Sequence, residues 1–179
     1  MQQLSTSDFD LFIKMSANLL KNKFTTPEKK AKFVLYYSHN KDMDKENNVK
    51  LPHWGNSLEN HLGIVYLPDD EEGNVRAEMP VDHRTCQPYG TLHGGASLAL
   101  AESLAGYGSL KHCAPNEIAL GMQVSGNHIC PVKVGNKVLA SGKLMHKGST
   151  THIWDVTLTT PQGRLVSSIR VVNYIKKLK

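Results

Sequence analysis

Five residues in one stretch of this chain have the types and spacing that carbonyl chemistry needs. Gly94 and Gly95 follow His93 directly, Gln87 precedes them, and Glu102 lies further along the same run. A helix that begins at the glycine pair presents backbone N–H groups without intrahelical partners. Its dipole adds partial positive charge at that end. Such an end polarises a carbonyl and holds the oxyanion that forms when the carbonyl is attacked. His93 and Gln87 flank this point with side-chain donors. Glu102 is the one charge between Gly94 and Leu110, and a carboxylate there serves as base or nucleophile. Its uncharged surroundings predict a buried carboxylate that is paired or used. The plainer alternative is a structural carboxylate that caps a neighbouring element.

Spacing adds a constraint. Gly95 and Glu102 are about 10 Å apart along a helix of 1.5 Å rise. One chain's Glu102 is poorly placed to reach a carbonyl held by its own Gly94 N–H. A neighbouring copy can supply the carboxylate, so the spacing predicts a site between subunits and at least a homodimer.

The elements that must position these residues follow from hydrophobic period and breakers. Residues 7–23 and a second segment starting at Thr26-Pro27 read as amphipathic helices, and the polar stretch 39–50 reads as a linker. Residues 1–50 are therefore expected to form a helical appendage with a packing or oligomer-contact role, and residues 51–179 the main domain. Ser57 is expected to cap a short helix through His61. Gly63–Pro68 and Val75–Met79, on either side of a charged turn, read as a hairpin. The small-residue helix from Gly94 comes next. Four strand-like segments follow, at Ile118–Ile129, Lys137–Met145, Thr151–Thr159 and Leu165–Ile175. Ile118, Leu120, Met122 and Val124 alternate along the first of them. Two strands, one long helix and four strands predict an α+β fold with an antiparallel sheet. Gly106 and Gly108 each cost up to about 1 kcal/mol in a helix interior, so close approach or an early helix end must justify them.

Composition narrows the function class. The chain has 179 residues and a formal net charge of +5. No Lys/Arg run is interleaved with aromatics, which argues against nucleic acid and leaves room for an anionic small ligand. Cys86, Cys113 and Cys130 are an odd, scattered set, as expected of free thiols in a reducing, cytoplasmic setting. They show no metal-ligand spacing, so no metal site is expected. Nothing pairs Cys86 with a base at recognisable spacing. The N-terminus lacks a secretory pattern, and no apolar run is long enough to span a bilayer, so no membrane partner is expected.

Several of these segments together resemble the hotdog-fold acyl-CoA thioesterases, in the branch of the 4-hydroxybenzoyl-CoA and 1,4-dihydroxy-2-naphthoyl-CoA thioesterases. They are Met79-Pro-Val-Asp-x-Arg84, Gln87-Pro-Tyr-Gly-x-Leu-His93-Gly-Gly-Ala-Ser and Leu100-Ala-Glu102-Ser. Asn127-His128, His146-x-Gly148-Ser149, Trp154, Gly163-Arg-Leu and Ser168-x-Arg170 continue the match, which runs over about residues 54–176. The resemblance implies a long central helix wrapped by a curved antiparallel sheet of about six strands, paired into homodimers and often homotetramers. It implies an acyl-CoA substrate, with coenzyme A entering as part of that substrate and no separate cofactor.

For the site, the resemblance implies Glu102 as nucleophile or general base and the Gly94 N–H as the group that polarises the thioester carbonyl. His93 and Gln87 would position that carbonyl or the attacking water. Gly95, His128, Ser149, Thr150 and Arg170 fall where the family contacts coenzyme A or the acyl group. A buried strand histidine, an ordinary turn and an exposed arginine would give the same pattern at the last four. Two positions depart from the family. Gly106 stands where relatives carry Ser or Thr one turn after the glutamate. Cys130 stands where a basic residue often follows Asn-His, so one coenzyme A phosphate contact is either missing or supplied elsewhere, by Lys147 or Lys133. These departures keep a non-catalytic acyl-CoA binding module open as an alternative, beside a hydratase or dehydratase on the same fold.

Overall fold

The computed structural model describes residues 57–178. The N-terminal helices, the linker and the domain boundary at residue 51 lie outside them. Ser57 caps helix α1 (Leu58–Leu62) by accepting the Asn60 N–H, and Gly63, at φ 72°, ends it. Strands β1 (Val65–Leu67) and β2 (Val75–Pro80) form the expected antiparallel hairpin. Helix α2 (Gly94–Leu110) follows, then β3 (Glu117–His128), β4 (Lys137–Lys147), β5 (Thr151–Thr159) and β6 (Leu165–Lys177). All six strands join one sheet in the order β1-β2-β4-β5-β6-β3, and every pairing is antiparallel. The passage through α2 carries the chain from β2 across to the far edge, where β3 pairs only with β6 among the described residues. No helix among them is long and apolar enough to cross a membrane.

The core lies between α2 and the inner face of the sheet. Leu100, Ala101, Leu104 and Ala105 are fully buried there, with Met79, Val138, Val156, Leu158 and Val171 beneath them. The small residues let helix and sheet approach closely. At Gly108 the approach is extreme, because a Cβ there would lie 2.5 Å from Cη2 of Trp154. The Trp154 indole N–H donates to Ser109 Oγ at 2.8 Å, and the Asn173 amide donates to the same oxygen at 3.0 Å. Gly108 is thus explained by close approach. Gly106 is not: apart from its chain neighbours and its own helix backbone, a Cβ there meets no atom of the described residues within 4 Å, and the helix continues past it to Leu110.

In β3 the expected alternation breaks. A bulge at Met122, between paired positions Gly121 and Gln123, changes which residues face inward. Val124 stands opposite buried Val171, whereas Leu120 stands opposite exposed Tyr174, and Leu120 and Met122 are themselves exposed. Ala119 and Gly121 are the inward positions before the bulge, opposite buried Ile175 and Asn173. The extra residue takes one pleat step without a partner, so a period of two cannot hold across it.

Buried His152 lies opposite Asn173 on this inner face. His152 Nδ1 and Asn173 Oδ1 have no hydrogen-bond partner among the described residues. Burial, and then the Lys147 charge, hold the His152 imidazole below its ordinary range; Glu117 opposes them, and His146 adds a smaller push in the same downward direction. The His112 ring packs edge-on at 6.1 Å. The unfolded chain therefore binds a proton at this residue at a higher pH than the folded one. Its contribution to stability is complete above the unfolded value near 6.5 and is lost as pH falls towards the lower folded value. We expect chemical-denaturation midpoints to fall between pH 7 and pH 5, with a shallower fall in His152→Gln.

Candidate active site

A tightly bonded loop places the start of α2. Thr85, fully buried, donates from its hydroxyl to the Pro80 carbonyl at 2.8 Å and accepts the Asp82 N–H at 3.0 Å. Asp82 accepts from the Arg84 backbone and guanidinium, and the Arg84 guanidinium beside it holds its carboxyl down to about 2. Arg84 also donates to the His61 carbonyl, which ties the loop to the end of α1. From this platform the His93 N–H donates to the Thr85 carbonyl at 2.9 Å, and the Leu92 N–H to the Val132 carbonyl at 2.8 Å. The first residue of α2 is fixed on both sides before the helix begins.

His93 is the N-cap. Its Nδ1 accepts the Gly95 N–H at 2.8 Å, so a neutral ring carries its proton on Nε2 and offers that proton outward. The Gly95 N–H is therefore committed to the cap. The Ala96 and Ser97 N–H groups both turn back to the His93 carbonyl. The Gly94 N–H has no partner among the described residues, and it is the one free donor of this helix end. Gln87 lies in the turn that precedes it. Its backbone N–H donates to the Thr91 carbonyl at 2.8 Å and its side-chain amide to Thr91 Oγ1 at 2.9 Å, while its amide oxygen stays open. Gly90, at φ 72°, closes the turn.

The structure adds His128 to this group. It ends β3 on the inner face, and its Nδ1 shares a 3.0 Å hydrogen bond with Oγ of buried Ser167. Its Nε2 packs directly on Gly94, where a Cβ would come within 2.5 Å. Gly94 is thus glycine because an imidazole occupies the space of its side chain. His128 is exposed, and a hydrogen-bonded strand histidine in one sense, but it stands at the helix start rather than apart from it.

Glu102 differs from the expectation of burial. In a single chain it is exposed. Its carboxylate rests on Gly121 of β3, where any Cβ would overlap Oε1. Leu98, one turn earlier, packs on Gly126 in the same way. Helix α2 therefore runs antiparallel to the edge strand with three close contacts: Gly94 to His128, Leu98 to Gly126, and Glu102 to Gly121. Glu102 lies two turns, about 12 Å, beyond the Gly94 N–H along the axis.

The remaining expected contacts are not gathered in one chain. Ser149 and Thr150 form the exposed β4–β5 turn, and the Thr150 carbonyl accepts the Ile175 N–H near the end of β6. His128 is at the opposite end of that strand. Arg170 lies on the outer sheet face, where Nε and Nη2 bind the two Asp155 oxygens at 2.7 and 2.8 Å. That pairing holds the Asp155 carboxyl below its ordinary range. Among the described residues, no group of three His, Cys, Asp or Glu side chains gathers as a metal site. Thr85 and Ser167 were not legible as site-supporting residues; both are small hydroxyl residues that only the fold brings to the helix start.

One long helix laid along a six-stranded antiparallel sheet defines the hotdog fold. Comparison with known proteins agrees. Residues 89–167 match the model of the thioesterase superfamily. The proofreading thioesterase EntH of Klebsiella pneumoniae is 37% identical over 116 residues, which cover 65% of this chain and 83% of that protein. The 1,4-dihydroxy-2-naphthoyl-CoA hydrolase of Listeria monocytogenes is 33% identical over 67% of this chain and 96% of its own length. Among solved structures, a mutant of thioesterase PA1618 from Pseudomonas aeruginosa superimposes with a TM-score of 0.65, at 36% identity over 69% of this chain and 88% of that one. The chain belongs to the hotdog-fold thioesterase superfamily.

Proposed function

We propose that the protein hydrolyses an acyl-CoA thioester to a free acid and coenzyme A, in a site shared by two copies of the chain. The observation that carries this reading is the free Gly94 N–H, flanked by His93 and His128, on the same helix as exposed Glu102 but about 12 Å from it. The thioester carbonyl oxygen accepts the Gly94 N–H of one subunit, with His93 Nε2–H and Gln87 positioning the carbonyl or the water. Glu102 of the other subunit acts on the carbonyl carbon. It either attacks directly, so that the C–S bond breaks and a mixed anhydride forms for water to hydrolyse, or takes a proton from the attacking water. The coenzyme A thiolate is a good leaving group and needs no dedicated acid. The similarity to a 1,4-dihydroxy-2-naphthoyl-CoA hydrolase supports the substrate class. His128, Ser149, Thr150 and Arg170 are assigned to the coenzyme A side, gathered from two subunits. The β3 edge, unpaired among the described residues and carrying exposed Leu120 and Met122, supports a homodimer able to build a tetramer. The three free cysteines support a reducing, cytoplasmic setting.

Thiol release from a panel of acyl-CoA esters tests the activity. Complementation tests the sharing. Glu102→Ala and His93→Ala chains damage opposite halves of one site. Co-expressed with separate tags, they form mixed dimers in which one site of two is intact, which restores about a quarter of wild-type activity in a random mixture. Activity no higher than the sum of the two variants alone would exclude a shared site.

A further inference from the structure

The acyl group of the substrate has no assigned seat in the site described so far, and one glycine of α2 has no explanation in packing. We propose that Gly106 keeps open the slot that receives the acyl group, and so sets the upper size of the substrates that are hydrolysed. The proposal rests on the acyl-CoA reading above.

The other close glycines around α2 are each accounted for by an atom that occupies their side-chain space. His128 lies on Gly94, Glu102 on Gly121, Leu98 on Gly126 and Trp154 on Gly108. Gly106 differs. Apart from its chain neighbours and its own helix backbone, no described atom comes within 4 Å of the place its Cβ would take, although the residue is in mid-helix, where glycine is disfavoured. It lies one turn after Glu102 and on the same helix face. The contacts of α2 with β3 run from Gly94 at His128 to Leu98 at Gly126 and then, across the bulge, to Glu102 at Gly121. Beyond the bulge, counted from the Glu102–Gly121 contact, four residues of helix advance about 6 Å and two of strand about 6.6 Å, which brings Gly106 to the level of the next inward position, Ala119. Two small residues therefore face each other across a gap beside the carboxylate. Leu110, one further turn along this face, is exposed and gives the far end of the gap an apolar wall.

The chemistry fixes what such a gap holds. A thioester carbonyl carbon in reach of Glu102 carries sulfur on one side and the acyl chain on the other. The sulfur side leads to a long, charged, hydrated nucleotide. The acyl side is the part that suits a slot lined by Gly106, Ala119 and Leu110. Gly106 lies one turn, about 6 Å, beyond Glu102, so a side chain there would fill the slot past the two carbons of an acetyl group.

Initial rates with acetyl-, hexanoyl-, decanoyl- and benzoyl-CoA, for wild type, Gly106→Ala and Gly106→Val, test this. In an apolar pocket one methyl-sized misfit changes kcat/KM by about 10–200-fold. Gly106→Val is expected to lower kcat/KM at least about tenfold for the bulkiest ester that wild type accepts, while acetyl-CoA stays within about threefold. Gly106→Ala is expected to raise the melting temperature, since alanine favours the helix and the site is open. An equal loss on every ester, or unchanged selectivity, overturns the proposal while the hydrolase reading stands. A lowered melting temperature in Gly106→Ala also overturns it, because the space is then filled by protein in the assembled molecule. No thiol release by wild type from any ester overturns the hydrolase reading and this proposal with it.

Discussion

Glu102→Ala is expected to lose acyl-CoA turnover by at least about 10³-fold while folding and assembly remain intact. The two halves of this result have separate causes. Glu102 is exposed in the single chain, forms no ion pair or hydrogen bond among the described residues, and rests on a glycine. Its removal therefore leaves no buried partner unsatisfied, and a change of this kind stays within about 0.5 kcal/mol in stability. The chemical loss follows because no other carboxylate lies on this face of α2. Circular dichroism, size-exclusion chromatography and a thiol-release assay on the same sample separate the two effects. Glu102→Gln keeps the shape of the contact with Gly121 and is expected to be equally inactive. Near-wild-type turnover in either variant would remove Glu102 from the mechanism.

Trp154→Ala is expected to have the largest effect on stability. Trp154 is almost fully buried, packs into the space of Gly108 and donates to Ser109. Its truncation opens a cavity between α2 and the middle of the sheet, which costs about 3–5 kcal/mol. For a chain of this size that lowers the melting temperature by about 6–20 °C. The same geometry predicts a change of sign. Gly108→Ala in the wild-type chain drives a methyl group into the indole and costs about 1–3 kcal/mol. In the Trp154→Ala background the obstruction is gone, and the better helix propensity of alanine makes the substitution stabilising by up to about 1 kcal/mol. A thermal double-mutant cycle reads this coupling directly. Additive effects would show that the indole does not fix Gly108.

The fold was legible where a single period governs a segment. Trp154, Val156 and Leu158 alternate without interruption, and so do Val138, Ala140 and Gly142, and both strands emerge with those residues inward. The capped start at Ser57 and the small-residue helix from Gly94 to Leu110 were equally plain. In β3 the apolar alternation through Leu120 and Met122 pointed to the wrong face, because a one-residue bulge leaves no mark in residue types. At the site, the glycine pair and the carboxylate were visible from spacing, and so was their separation along the helix. The contact of His128 with Gly94 was not. It depends on the sheet order, which returns β3 to the far edge beside β6 and lays its end against the helix start. The exposure of Glu102 was hidden for a related reason: an uncharged helix face marks burial in core and interface alike, and one chain supplies only the core.

Among the described residues the outer edge of β3 carries no partner strand, and this has a consequence for how the protein must be made. Twelve residues long, the strand carries Glu117 as its one acidic residue and no lysine, arginine or proline. Those are the residues by which free sheet edges repel further strands. A newly synthesised chain thus exposes a template for runaway cross-strand addition until something covers it. The Met122 bulge is the one interruption in that edge, bending it so that a flat ladder of copies cannot continue along its whole length. A bulge that looks incidental to the chemistry is in this sense a guard against aggregation, and its loss would be felt first as poor soluble yield rather than as poor activity.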